Sequence, residues 1–238
     1  METPGRASRS EEGEDQGPLS GRPWLASYAP GVPADVDVPA ESLSEMMEAS
    51  ARRYGNRVAL DFFGAETTYT ELADAVVRAA EALRVAGLQA GDRVALVLPN
   101  CPQHVVAFYA ALRLGAVVVE HNPLYTASEL EHQLADCGAR FVVCWDRTAP
   151  MIDDLRGKTE VELIFAVDLT TALPWRKRLA LRLPVARASA ARASIAGPVP
   201  RGVVPLERVG PSSGHLDAAG PREPLDGGAF LEYSVARA

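Results

Sequence analysis

The stretch GDRVALVLPNCPQ, residues 91–103, decides the fold. Its apolar run from Val94 to Leu98 turns no polar residue toward water, which is the pattern of a strand covered on both faces. Pro99 and Asn100 break the run. A helical pattern follows over 103–114 and stops at Gly115. AVVVE at 116–120, FVVCW at 141–145 and ELIFAVD at 162–168 repeat the two-sided apolar character, the last two with a short helix between them. Strands alternating with helices over short loops predict an α/β fold, a mostly parallel sheet flanked by helices.

Outward from this centre the signals stay regular for some distance. A helix is predicted over 43–54 and a strand over 58–63. Another helix follows over 71–85, capped by Thr70 and closed by Gly87. Its Leu72, Val76, Ala79, Ala80 and Leu83 recur at steps of three and four, one helical face. Ser128 and Glu131 have capping-box spacing for a helix over 129–137 that Gly138 ends. Residues 1–23 are polar, acidic and spotted with Gly, Ser and Pro, so disorder is expected there. Residues 172–228, rich in Ala, Arg, Pro and Gly, read as loosely ordered, and 229–233 begins like a strand. The chain therefore divides into an N-terminal arm (1–37), an α/β region (38–170) and a basic, irregular tail (171–238).

Composition narrows the function classes. At 238 residues, 47% hydrophobic and 23% charged, the chain has room for one globular domain with an appendage. No run of about 18 uncharged apolar residues exists, so no spanning helix is expected. The start has no apolar segment of the secretory kind. Cys101, Cys137 and Cys144 are an odd count at unremarkable spacing, which reads as reduced, buried thiols in a cytoplasmic protein. The four histidines stand at no zinc spacing to a cysteine, so no metal site is expected. Net charge is −7, yet residues 172–201 hold seven basic side chains and no acidic one, leaving the remainder at −14. A chain this acidic outside one segment predicts no nucleic-acid partner. G-x-G-x-x-G after a strand, G-x-x-x-x-G-K-[ST], H-E-x-x-H and G-x-S-x-G are all absent.

Three ordered motifs carry a resemblance. They are TYTELADAV (68–76), GDRVALVLPNCPQ (91–103) and EHNPLYTASELEHQLADCGARFVV (120–143). Together they resemble the N-terminal part of the AMP-forming acyl-CoA synthetases, and most closely the long-chain fatty-acid–CoA ligases of the adenylate-forming superfamily. The resemblance covers about residues 38–170 and implies the first α/β subdomain of such an enzyme. The family reaction joins a fatty acid to CoA through an acyl-adenylate and uses ATP, Mg and CoA. In the family a strand like Leu231-Glu232-Tyr233-Ser234 runs into a Gly/Ser/Thr-rich loop ending in Pro-Lys-Gly, which cradles the ATP phosphates. Here Val235-Ala236-Arg237-Ala238 follows instead. The resemblance thus implies a truncated fragment that binds none of these cofactors, has no catalytic residue of its own, and is inactive alone. The alternatives are a non-catalytic interaction module, or one half of a split ligase whose C-terminal half is separately encoded.

Two groups of residues are candidates for contact with ligands. His121, Asn122, Pro123 and Tyr125 follow a buried strand, at the end where open sheets place ligands, and the resemblance implies a wall of the acyl or pantetheine channel. Read from the residues alone, Asn122-Pro123 is a loop starter, and Tyr125 packs on the next helix. Asn100 is expected to cap the helix after it, with Cys101 unreactive beside it. In LPWRKRLALRLP (173–184), Trp175 and Leu179 stand four apart, and Arg176, Lys177, Arg178 and Arg182 supply positive charge. This pattern suits peripheral contact with an anionic membrane at its inner face, or else a solvated excursion between subdomains.

Overall fold

A computed structural model of the chain describes residues 21–35 and 39–206, together with the backbone of the strand 230–232. The chain divides into two units, Met1–Ala40 and Glu41–Ala238. In the first, a 3-10 turn spans Pro23–Ser27, and Arg22 pairs with Asp35 at 2.6 Å. Of the disorder expected over 1–23, residues 1–20 lie outside the described residues, and Pro23 already begins the 3-10 turn.

The second unit opens with α1 (Leu43–Tyr54), the span the sequence predicts. Ser42 caps it and Glu45 reciprocates. β1 (Val58–Phe62) then pairs antiparallel with β2 (Ala65–Thr68), a hairpin the sequence reading did not anticipate. Its turn is Phe63-Gly64, both at positive φ (55° and 87°). The usual two-residue turn signals are Asn-Gly or Asp-Gly, and phenylalanine in the first position hides this one. α2 (Tyr69–Val85) begins two residues earlier than expected. Its cap is Thr68, not Thr70: Thr68 Oγ1 accepts from Glu71 N (3.3 Å), and Thr68 N donates back to Glu71 Oε2 (2.8 Å).

Among the described residues the core sheet contains six strands in the order β7-β6-β5-β3-β4-β8, every neighbouring pair parallel. They are β3 (Arg93–Val97), β4 (Val117–Glu120), β5 (Phe141–Trp145), β6 (Leu163–Val167), β7 (Val204–Pro205) and β8 (Phe230–Glu232). Between them run α3 (Pro102–Arg113), α4 (Ala127–Cys137) and α5 (Ala149–Asp154). α4 also starts early: Thr126 and Glu129 form its capping box, and the predicted Ser128–Glu131 pairing does not occur. Both pairs satisfy Ser/Thr-x-x-Glu, and the one that begins the helix sooner wins. At the start of α3 the N-cap position belongs to Cys101, without a side-chain hydrogen bond, and not to Asn100.

Strand side chains alternate between two apolar layers. Val94, Leu96, Val118, Phe141, Val143, Phe165 and Val167 pack with α2 and α3 on one face. Ala95, Val97, Val119, Val142, Cys144, Ile164 and Ala166 pack with α4 and α5 on the other. This double burial explains why the strands read as unbroken apolar runs. Each fully buried Phe, Leu or Ile contributes roughly 1.5–3 kcal/mol by area removed from water, and Phe141→Ala would cost about 3–5 kcal/mol.

Within the tail region, residues 172–206 hold more regular structure than composition predicts. They form α6 (Trp175–Ala180), α7 (Ala186–Ile195) and β7. α7 is made of Ala, Arg and Ser up to its final Ile195, and only Ala188 is buried, so no apolar period announces it. It is tied down through its C-terminal end. Trp145 Nε1 donates to Ile195 O (2.9 Å), Arg147 Nη1 donates to Ser194 O (2.6 Å), and Gly197 lies against the Arg147 backbone. The sequence-predicted strand over 229–233 is present as β8; residues 207–229 and 233–238, including Tyr233 and Ser234, lie outside the described residues.

Candidate functional site

The strand order fixes where ligands can sit. From β3 the chain steps to β4 on one side, then crosses over to β5 on the other, so β3 marks the topological switch. In open α/β sheets, crevices form outside the carboxyl ends of the strands at this point. A cleft of about 1150 Å³ occupies that position, and its lining is predominantly apolar. Leu60 and Phe62 of β1, Leu98 after β3, Val105, Phe108 and Tyr109 of α3, and Trp145 at the end of β5 contribute to its walls.

The polar groups of the cleft come from the end of β4 and the start of α3. His104 Nε2 donates to Glu120 Oε1 at 2.8 Å, and both side chains are about four-fifths buried. The parallel register of β3 and β4 sets Glu120 beside Leu96, and the chain reaches α3 five residues beyond β3. That is how residues sixteen apart meet. His121 is buried, and its Nδ1 donates to Gln133 Oε1 of α4 at 2.8 Å. Burial pushes the imidazole below its ordinary pKa, against smaller opposing effects of Gln133 and Glu120, so the ring is held neutral. Asn122 Oδ1 accepts from Leu124 N (2.9 Å), and Asn122 O accepts from Tyr125 N (3.2 Å). This is an Asx turn of the kind the loop reading predicts. Asn122, Pro123 and Tyr125 line the cleft as well, and Tyr125 also packs against the apolar layer beneath α4. The structure therefore brings all four candidates to one wall.

Sequence reasoning missed His104, Glu120, Tyr109 and Trp145. Glu120 ends an apolar strand and His104 opens the preceding helix, a pairing visible only once the crossover from β3 to β4 is drawn. The cleft holds no activated thiol among its described residues. Cys101 lines it, but burial raises its thiol pKa. Cys137 is raised likewise, and burial pushes Cys144 up to about 12.

A triphosphate and its metal ask for backbone N–H groups in a Gly-rich loop, a lysine, and acidic ligands. Among the described residues, the cleft lining has no lysine and no Gly-rich loop, and its two carboxylates are engaged within the chain, Asp61 accepting from Gly64 N (2.8 Å) and Glu120 from His104. Among the described residues, no group of three His, Cys, Asp or Glu is placed to hold a metal ion. The cleft residues do not fit ATP or Mg.

The second candidate group lies elsewhere. Trp175, Arg176, Lys177, Arg178 and Leu179 are all exposed on α6, and Arg182 is exposed just beyond it. Among the described residues, no helix is long and apolar enough to cross a membrane.

An open parallel sheet covered on both faces, with an apolar crevice at its switch point, is the α/β architecture that places ligands in such a crevice. The sequence pattern of the AMP-binding enzyme family matches residues 47–196, and the chain belongs to that family. It is 35% identical over 160 residues to a long-chain-fatty-acid–CoA ligase of Bacillus subtilis, covering 67% of this chain and 29% of that protein. It is 41% identical over 140 residues to one of Yersinia pestis, covering 58% of this chain and 25% of that protein. The chain thus spans between a quarter and a third of the length of these relatives. A solved long-chain-fatty-acid–CoA ligase from Archaeoglobus fulgidus shares the fold, with a TM-score of 0.58 at 22% identity, over 89% of this chain and 37% of that one. An anthranilate CoA ligase solved with anthranoyl-AMP matches with a TM-score of 0.52 at 26% identity, over 55% of this chain and 26% of that one. The resemblance to acyl-CoA synthetases drawn from three motifs is borne out.

Proposed function

We propose that this chain supplies the N-terminal α/β layer of an AMP-forming long-chain fatty-acyl-CoA ligase, and that its cleft forms one wall of the acyl or pantetheine channel. The observation that carries this is the cleft itself. It is apolar, lies at the switch point of the sheet, and is bordered by two of the three motifs that resemble the ligases. Phe108, Val105 and Leu98 would take methylenes. His121 and Asn122 keep the β4–α4 turn in shape beneath them, and the His104–Glu120 pair fixes α3 against β4.

Adenylation needs donors and positive charge on the phosphates as pyrophosphate leaves. No Pro-Lys-Gly loop occurs among the 238 residues. On this reading the 238 residues alone release no pyrophosphate, and ATP, Mg and the transfer to CoA depend on residues outside them. A C-terminal ligase portion, in a separate chain or in the same one, is the partner. β8 supports this reading: it carries Leu231-Glu232, the start of the step that resembles the family's lead-in strand, and it pairs with β4 at the edge of the described sheet. The complex works in the cytoplasm, in peripheral contact with the inner face of the membrane.

A fluorescent long-chain fatty acid tests the cleft. The chain should bind it, unlabelled fatty acid should displace it, and Val105→Trp should abolish binding while the thermal transition stays in place. Binding unchanged by Val105→Trp would remove the cleft from the account.

A further inference from the structure

We propose that the outer side of α6 is a docking face for an anionic lipid bilayer, with headgroup phosphate received by Arg178, Arg182 and Arg192. This deepens the peripheral contact just described, and it uses no residue of the cleft. It therefore stands or falls separately from the ligation reading.

Trp175 and Leu179, four apart, share one side of α6 and are 68% and 57% exposed. Arg176 and Arg178 flank that side. Lys177 projects from the opposite side of the helix. Its Nζ donates to Phe63 O (3.0 Å) and stands 5.3 Å over the Phe63 ring, at the tip of the β1–β2 hairpin. A six-residue helix is too short to be stable by itself, and this clamp pins it to the hairpin with Trp175 and Leu179 turned outward. Beside it, Arg178, Arg182 and Arg192 line a recess of about 50 Å³ with Thr170 and Thr171. Asp168 also lines it, with Oδ1 accepting from Thr170 N at 2.8 Å. Among the described residues, no ion pair engages any of the three guanidinium groups.

Charge chooses the occupant. The surface is basic, while the rest of the chain sums to −14. An anionic sheet would repel the acidic remainder of the molecule and accept this face. Tryptophan belongs at the headgroup level of a bilayer, and Leu179 and Leu183, both exposed, are aliphatic side chains suited to the acyl boundary. Single-stranded nucleic acid asks instead for several aromatic stacking platforms, and α6 offers one.

Sedimentation of the full chain with vesicles tests the proposal. One set contains phosphatidylcholine alone, the other equal parts phosphatidylcholine and phosphatidylglycerol. The chain should bind the second set and not the first, and salt should weaken the binding. Arg182→Gln and Arg192→Gln should each weaken it about fivefold. Trp175→Ala should weaken it roughly tenfold, and Trp175→Phe should bind but lose the blue shift of tryptophan emission. These positions are exposed, so an unchanged thermal transition separates lost docking from lost folding. Equal binding to both vesicle sets, full binding by the Arg182→Gln/Arg192→Gln double variant, or displacement of bound chain by equimolar inorganic phosphate or RNA would each overturn the docking face. None of these results touches fatty-acid binding in the cleft.

Discussion

Removing the acceptor beneath His121 is the sharpest perturbation of the cleft wall. Gln133 is 3% exposed and His121 4% exposed, so neither can turn to water when its partner is lost. Gln133→Leu keeps the approximate volume and leaves the Nδ1–H of His121 without the oxygen now 2.8 Å away. A buried donor stripped of its acceptor costs about 1–3 kcal/mol. For a chain of this size each kcal/mol lowers Tm by about 2–4 °C, so a fall of roughly 2–12 °C is expected. The same pair sets a pH dependence. Burial depresses the folded-state pKa of His121 below the ordinary 6.5. Below that value the unfolded chain takes up a proton that the folded chain refuses, so stability declines as pH falls from 6.5 toward the depressed value. Above 6.5 the contribution of His121 is constant. Gln133→Glu keeps an acceptor and adds a charge that favours imidazolium, which should flatten the decline. Thermal melts by circular dichroism across this range read both effects. A Gln133→Leu Tm within about 1 °C of the parent, or a Gln133→Glu slope as steep as the parent's, would refute the argument.

Other outcomes follow from single contacts. Thr68→Ala should destabilise the chain by about 1 kcal/mol through loss of the α2 cap, and Thr70→Ala by much less; denaturant titration decides between them. Gly197→Ala would place a methyl 2.6 Å from Arg147 Cα and 2.9 Å from its nitrogen. Overpacking against backbone should cost about 1–3 kcal/mol and hasten proteolysis around α7. All three thiols are buried, and burial raises each one's pKa. A thiol reagent at mildly alkaline pH should therefore label the native chain slowly and the urea-unfolded chain at once.

The sheet was legible because each of its main strands is buried on both faces, which leaves an unbroken apolar run such as Val94 to Leu98. Glycines closing α2 and α4 were legible for a local reason, the need for positive φ at Gly87 and Gly138. Cap positions were less so. Overlapping spacings at 126–131, Thr126-x-x-Glu129 and Ser128-x-x-Glu131, give more than one start, and only the helix itself selects; at 68–71 Thr68-x-x-Glu71 alone has that spacing, and the reading of Thr70 as the cap overlooks it. The β1–β2 hairpin was hidden by Phe63, a residue that rarely accepts positive φ, and α7 by a composition without apolar rhythm. Of the cleft, His121 to Tyr125 could be read from position after a strand. His104 and Trp145 could not, because their nearness to Glu120 and the cleft comes from crossovers that carry the chain over β3.

Pyrophosphate release tests the central claim most directly. The 238-residue chain, supplied with ATP, Mg, CoA and a long-chain fatty acid, should release none above a protein-free blank. Addition of a chain carrying the Pro-Lys-Gly loop and the C-terminal ligase portion should restore release, and Val105→Trp should suppress it again. Turnover by the 238 residues unaided, or restored turnover indifferent to Val105→Trp, would contradict the account.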